Sequence, residues 1–82
     1  MVIIRLSRKG VKKRPFFSII VADSKSPRNG KFLEKIGFYN PCILYNKKKK
    51  FYIFKKRLIF WKNLGAQLSN TVNRLIKHFN IL

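Results

Sequence analysis

Few side chains in this sequence offer reactive chemistry, and they are scattered. The acids are Asp23 and Glu34 alone. Two carboxylates could in principle hold a divalent metal for phosphodiester hydrolysis, but metal-dependent nucleases cluster several acids around their ions. Asp23 closes one apolar run beside a basic segment and Glu34 opens another. The expectation is therefore that both acids make local ion pairs or caps. His78 lacks an obvious nucleophile or orienting acid nearby. It falls near the C-terminal end of a predicted helix, where a cation is mildly favoured, and is expected at the surface. Cys42 is the only cysteine, which leaves no intramolecular disulfide and, with a single histidine, no zinc cluster. No catalytic residue, metal, cofactor or small-molecule substrate is expected.

The basic residues carry the signal. Arg8, Lys9, Lys12, Lys13 and Arg14 fall in one segment, Lys25, Arg28 and Lys31 in the next, with Arg5 just before the first. Across the whole chain of 82 residues, 20 Lys and Arg face 2 acids, a formal net charge of +18. Small soluble domains usually carry a net charge of about 2–8 in magnitude, and self-repulsion at this level opposes folding. Yet 46% of residues are hydrophobic and 15% aromatic, which argues against a disordered tail. A polyanion that binds the folded form would resolve the conflict by mass action. The longest apolar runs, such as Phe51 to Phe54 and Leu58 to Trp61, fall far short of the ~18 residues of a membrane span. Arg5 and Arg8 interrupt the first apolar stretch before it could serve as a secretory leader. No membrane partner is expected. Loop-borne Lys and Arg suit phosphate contact and shape recognition, as on folded RNA.

The elements that must position these residues change character near residue 55. Val2 to Ser7 alternates as a strand, with Val2, Ile4 and Leu6 on one face. A basic loop from Arg8 to Pro15 follows. Phe16 to Ala22 is apolar on both faces apart from Ser18, which predicts a central strand. The turn-rich segment from Ser24 to Lys31 leads to a third strand over about Leu33 to Tyr39. In it Ile36 and Phe38 share a register, and Gly37 suggests a bulge or close backbone approach. Lys47 to Lys50 form a charge run before a fourth strand, Phe51 to Phe54. A helix over about Lys56 to Leu64 carries Leu58, Trp61 and Leu64, with Gly65 as its C′ residue. Ser69 then caps a second helix, whose stripe is Val72, Leu75, Ile76 and Phe79. The reading is one α+β domain spanning residues 1–82: a small antiparallel or mixed four-stranded sheet with two C-terminal helices packed on it. The two basic segments flank the same strand at opposite ends, so the positive surface wraps the molecule. Phe17, Phe38, Phe54, Phe60 and Trp61 are expected in the core. Trp61 is placed between the first helix and the sheet, near Leu58, Val72 and Ile76. Phe16 and Tyr39 are the expected exceptions among the aromatics.

Read in order, the residues resemble the bacterial-type small-subunit ribosomal protein sixteen family. The pattern runs Val2, Ile4–Arg5–Leu6, Arg8, Gly10 and Lys12–Lys13–Arg14–Pro15–Phe16, then Val21–Ala22–Asp23 and Arg28–Asn29–Gly30–Lys31–Phe32. It continues through Glu34, Gly37, Asn40–Pro41, Arg57, Trp61, Gly65–Ala66, Ser69, Val72 and Leu75. The match spans nearly the whole chain without a large insertion. Phe17 stands where the family often has Tyr, and Asn70 where an acid is common. The resemblance implies an α+β fold and a structural role. It implies binding to the five-prime domain of small-subunit ribosomal RNA, help in its assembly, and neighbouring small-subunit ribosomal proteins as partners. The expected RNA-binding residues, read from the basic segments, are Arg5, Arg8, Lys9, Lys12, Lys13, Arg14, Lys25, Arg28 and Lys31. The implied location is the ribosome, in a bacterial cytoplasm or the interior of an organelle. Lys, Asn, Ile and Phe supply 39 of the residues; their A- and T-rich codons point to an AT-rich genome. The competing readings are a nonspecific nucleic-acid-binding protein of nucleoid type and, more distantly, a metal-dependent nuclease.

Overall fold

The computed structural model describes residues 1–11, 13–27, 30–41 and 50–79. The elements run β1 (Val2–Val11), β2 (Arg14–Asp23), β3 (Glu34–Tyr39), β4 (Phe51–Ile53), α1 (Lys55–Asn63), β5 (Gln67–Leu68) and α2 (Asn70–His78). They build one mixed sheet in the order β4-β3-β2-β1-β5. All neighbours are antiparallel except β1 and β5, which run parallel. The α+β reading holds, with five strands among the described residues instead of four. The fifth, β5, is two residues long and lies between the helices, too short to show a period of its own.

β1 and β2 extend well past the expected strands. They pair continuously from Val2↔Asp23 to Val11↔Arg14, so most of the expected basic loop from Arg8 to Pro15 is hairpin arm. Lysine and arginine spacing hid that extension, because no apolar alternation marks it. β2 is the central strand, as expected, and Ile19, Ile20, Val21 and Ala22 are at most 1% exposed. One face of the sheet carries the main core. There Ile4, Ile19, Val21, Ile36, Phe51 and Ile53 pack with Leu58 of α1 and with Val72 and Ile76 of α2. Ile20 and Ala22 point to the other face and lie outside that cluster. On that face the Arg5 guanidinium donates from Nη2 to the carbonyls of Ser26 and Pro27, both at 3.1 Å. It thereby ties the chain that follows β2 across the sheet.

The bulge expected at Gly37 is present. Ile19 pairs with Gly37 but Ile20 with Lys35, so Ile36 is the extra residue. A bulge of one residue switches the phase of everything beyond it. Tyr39 therefore joins the core face, and Phe38 moves to the outer one. This corrects the expectation that Phe38 is core and Tyr39 an exception. Gly37 is also where β4 comes closest: a Cβ there would meet the backbone of Tyr52 and Ile53.

The helices are positioned by their ends. α1 closes in a paired turn: the Gly65 N–H donates to the Lys62 carbonyl at 3.0 Å and the Ala66 N–H to the Trp61 carbonyl at 2.9 Å. Gly65 has φ +95°, which a residue without Cβ adopts freely. This turn hands Gln67 and Leu68 to the edge of β1, where the Ser69 N–H donates to the Ile4 carbonyl. Ser69 then caps α2 as predicted, its Oγ accepting from the Val72 N–H at 3.3 Å. Leu64, expected in the α1 stripe, is 66% exposed because the helix has already turned off there.

Candidate nucleic-acid interface

The strands place the expected cations at two ends of the molecule. Arg8, Lys9 and Lys13 are exposed on the β1–β2 hairpin. Lys25 and Lys31 are exposed on the chain between β2 and β3. β2 has ten residues and spans about 30 Å at ~3.3 Å per residue, with one set toward each end; Arg8 and Lys9 lie level with Phe17 and Phe16. Arg14 belongs to β2 by its backbone pairing with Val11. Lys12, Arg28, Cys42 and Lys47 to Lys49 lie outside the described residues. Arg5 has a different position: it is half-buried in mid-sheet, with Nη2 bound to the two loop carbonyls. It orders the segment that carries Lys25 and Lys31.

Both acids are engaged locally, as the sequence predicted. Asp23 Oδ1 accepts from the Lys25 N–H at 2.9 Å. Glu34 receives a two-pronged contact from Arg57, with Nε to Oε2 at 2.7 Å and Nη2 to Oε1 at 2.6 Å. The Trp61 indole N–H adds a bond to Oε1 at 3.2 Å. These hydrogen bonds from Arg57, foremost, hold the Glu34 carboxyl below its ordinary value of 4.5. Desolvation opposes the shift, while Trp61 and the Arg57 charge add to it. The Arg57 guanidinium is raised in turn by the same hydrogen bonding. Trp61, expected in the core, is half-buried against the cluster that holds Leu58, Val72 and Ile76, and its indole also fastens α1 to the start of β3. A carboxylate held on both oxygens by a guanidinium is poorly placed to take a metal ion. Two acids cannot offset 20 cations, so the surface charge is left for an external anion.

Sequence reasoning missed a second feature on the outer face. Phe16, Phe38 and Tyr52 form a cross-strand row, with centroid spacings of 6.1 and 5.8 Å and interplanar angles of 19° and 28°. Lys35 reaches toward it, its Nζ 6.0 Å from the Phe16 ring centroid. A matching row on the core face joins Phe17, Tyr39, Phe51 and Phe79. The signal was available: Phe16–Phe17, Phe38–Tyr39 and Phe51–Tyr52 are adjacent aromatic pairs, and adjacent strand residues point to opposite faces. Phe54 and Phe60, expected in the core, are 45% and 43% exposed. Phe54 follows Tyr52 in the outward register, and Phe60 lies on the side of α1 away from Leu58. The Arg57 guanidinium covers the Phe60 ring at 4.3 Å. His78 is exposed, as expected.

The arrangement is a small twisted sheet with cations at both ends of its central strand and internally bonded acids. Comparison with known proteins identifies it. The sequence profile of the family described as ribosomal protein S16 matches residues 8–69. The chain belongs to the ribosomal protein S16 family. Three of its relatives are each named small ribosomal subunit protein bS16. The one from Nitrosomonas europaea is 52% identical over 79 residues, covering 96% of this chain and 88% of the relative. Those from Paraburkholderia phymatum and Verminephrobacter eiseniae are each 53% identical over 77 residues. That span is 94% of this chain and 89% and 92% of the relatives, respectively. Within the S16 family match of residues 8–69 lie the tip of the hairpin from Arg8 onward, the segment after β2, the Glu34–Arg57 pair and the Gly65 turn.

Proposed function

We propose that this chain is a structural constituent of the small ribosomal subunit and binds its RNA by charge neutralisation, not by chemical turnover. Residues 1–82 act as one RNA-binding domain. The observation that carries the reading is the placement of Arg8, Lys9 and Lys13 at one end of β2 and Lys25 and Lys31 at the other, with both acids bonded internally. Two cationic sets toward opposite ends of a strand of ten residues suit phosphate backbones of separate RNA helices, which the domain would hold in fixed relation. Arg14, Lys12 and Arg28 extend these sets in sequence. Arg5 contributes by ordering the second one. The RNA is the five-prime domain of small-subunit ribosomal RNA. Neighbouring small-subunit ribosomal proteins are the further partners, in the ribosome of a bacterial cytoplasm like that of the relatives.

The test is binding to small-subunit ribosomal RNA as salt is raised from about 50 to 200 mM. With about 6–10 phosphates neutralised, affinity should fall on the order of 10³–10⁵-fold, on the scale of duplex DNA. Replacing Lys9 and Lys13 by Ala should flatten the logarithmic salt slope by roughly 0.7–0.9 per lysine. An unchanged slope would remove the hairpin from the interface. Equal affinity for bulk duplex DNA at the higher salt would favour a nucleoid-type protein. Metal-dependent cleavage lost in Asp23→Asn or Glu34→Gln would favour a nuclease, against the Arg57 contact that occupies Glu34.

A further inference from the structure

The cationic sets account for phosphate, but they leave the aromatic outer face without a role. Tyr52 and Phe54 are separated by one residue and share the outward register of the chain through β4. They are 49% and 45% exposed. Together with Phe38, Lys35, Glu34 and Arg57 they line a groove of about 480 Å³ with mainly apolar walls, within the ~300–1,000 Å³ of small-ligand sites. β4 is the edge of the sheet, so no further strand covers Tyr52 among the described residues. Its ring stacks on Phe38 on one side and is the end of the aromatic row.

We propose that this groove takes an unstacked nucleobase of the bound RNA, stacked on Tyr52 and flanked by Phe54, with Lys35 and Arg57 facing the adjoining phosphates. The inference rests on the RNA-binding reading above and deepens it by adding a base contact to the phosphate contacts. Charge complementarity selects the occupant. The groove joins aromatic walls to Lys35 and to an Arg57–Glu34 pair whose charges balance, on a chain of net charge +18. A nucleotide presents a π face and a phosphate together, whereas an apolar protein segment would leave Lys35 unmatched. Glu34 holds the Arg57 guanidinium at the groove wall, where it also lies over the Phe60 ring. The contact is tolerant of sequence, because every base has a π face.

The experiment titrates small-subunit ribosomal RNA with the unsubstituted protein and with Tyr52→Leu, Phe54→Leu and Tyr52→Phe, at low and high salt. Urea midpoints of each variant confirm folding; both side chains are about half exposed, so leucine should be accommodated. Base–aromatic stacking of ~1–3 kcal/mol per base, at 1.4 kcal/mol per decade, corresponds to about 5- to 150-fold. Tyr52→Leu and Phe54→Leu should each weaken binding within that range and leave the salt slope unchanged. Tyr52→Phe should bind like the unsubstituted protein. Full affinity in both leucine variants would overturn the inference while leaving the charge-based reading intact. So would full RNA affinity with impaired uptake into subunits when the other ribosomal proteins are present, which would assign the groove to a protein neighbour. Failure of the unsubstituted protein to bind RNA would remove the functional reading and this one with it.

Discussion

Gly37→Ala puts the close approach of β3 and β4 to the test. A methyl at this position would sit 2.9 Å from Cα of Ile53 and 3.2 Å from Cδ1 of Ile19, and closer still to the Tyr52 carbonyl oxygen. Two of these neighbours are backbone and cannot rotate aside, so β4 itself must move. Overpacking of this kind costs about 1–3 kcal/mol where the surroundings can shift. β4 has little to resist with: three residues, paired Gly37↔Ile53, Phe38↔Tyr52 and Tyr39↔Phe51. If it detaches, Phe51 and Ile53, 4% and 5% exposed, leave the core. Re-exposing them costs about 1.5–3 kcal/mol each, or roughly 3–6 kcal/mol together. At ~0.05–0.15 kcal/mol per residue, a chain of this length has on the order of 4–12 kcal/mol in all. Urea unfolding followed by the fluorescence of Trp61, the sole tryptophan, reads the loss. A lower midpoint with unchanged slope means that β4 has shifted as a unit; a reduced slope means that it has come away in the native state. Stability within about 0.5 kcal/mol of the unsubstituted protein, with the amides of Phe51 to Ile53 exchanging as slowly as before, would refute the reasoning.

Gly65→Ala meets open space, so any cost is conformational, about 1–2 kcal/mol for a left-handed residue, and a matched urea titration should separate it from the steric case. Ser69→Ala removes the α2 cap and should cost about 0.5–2 kcal/mol, read as a fall in thermal midpoint. Glu34 has a folded pKa below its unfolded one, so its stabilisation is present above its ordinary value of 4.5 and is lost as pH falls through the folded value. Urea midpoints between about pH 6 and pH 3 should therefore show an acid limb that Glu34→Gln flattens. An identical limb in both proteins would show that the Arg57 contact does not shape the pH response. Trp61→Ala should lower stability by no more than the ~3–5 kcal/mol of a buried aromatic, since the ring is half-buried, and should free Glu34 of one hydrogen bond.

Much of this fold was legible because several local signals agreed. Ser69 announced its helix by type and by the stripe Val72, Leu75, Ile76 and Phe79 behind it. Gly65 announced the end of the one before. A run from Phe16 to Ala22 apolar on both faces apart from Ser18 marked the central strand. Where the reading failed, a single residue of phase was the cause. Periodicity carried Ile36 and Phe38 on one face, but the bulge placed Ile36 and Gly37 together and reversed everything after them. The glycine advertised a bulge without saying which residues would change sides, because that depends on the partner strand. β5 was invisible for another reason: two residues have no period, and only the Gly65 turn brings them to β1. The cationic surface was legible from composition, since two acids cannot hide 20 cations. The aromatic groove was not, because exposure of Tyr52 and Phe54 follows from β4 being an edge, which is a property of strand order.

β5 pairs with only Ile3 and Ile4 of β1. Beyond them the outer edge of β1 runs on to Val11 with no further strand beside it among the described residues. An open edge is a template for a second copy of the same protein. The residues spaced along this one include the exposed Arg8 and Lys9, so two copies meeting edge to edge would bring like charges face to face. The cations proposed to meet phosphate thus also keep the free protein from joining itself. That protection is electrostatic, and its reach shrinks from about 10 Å at 0.1 M salt to about 3 Å at 1 M. Newly made chains that have not yet met RNA are therefore kept apart best in dilute salt.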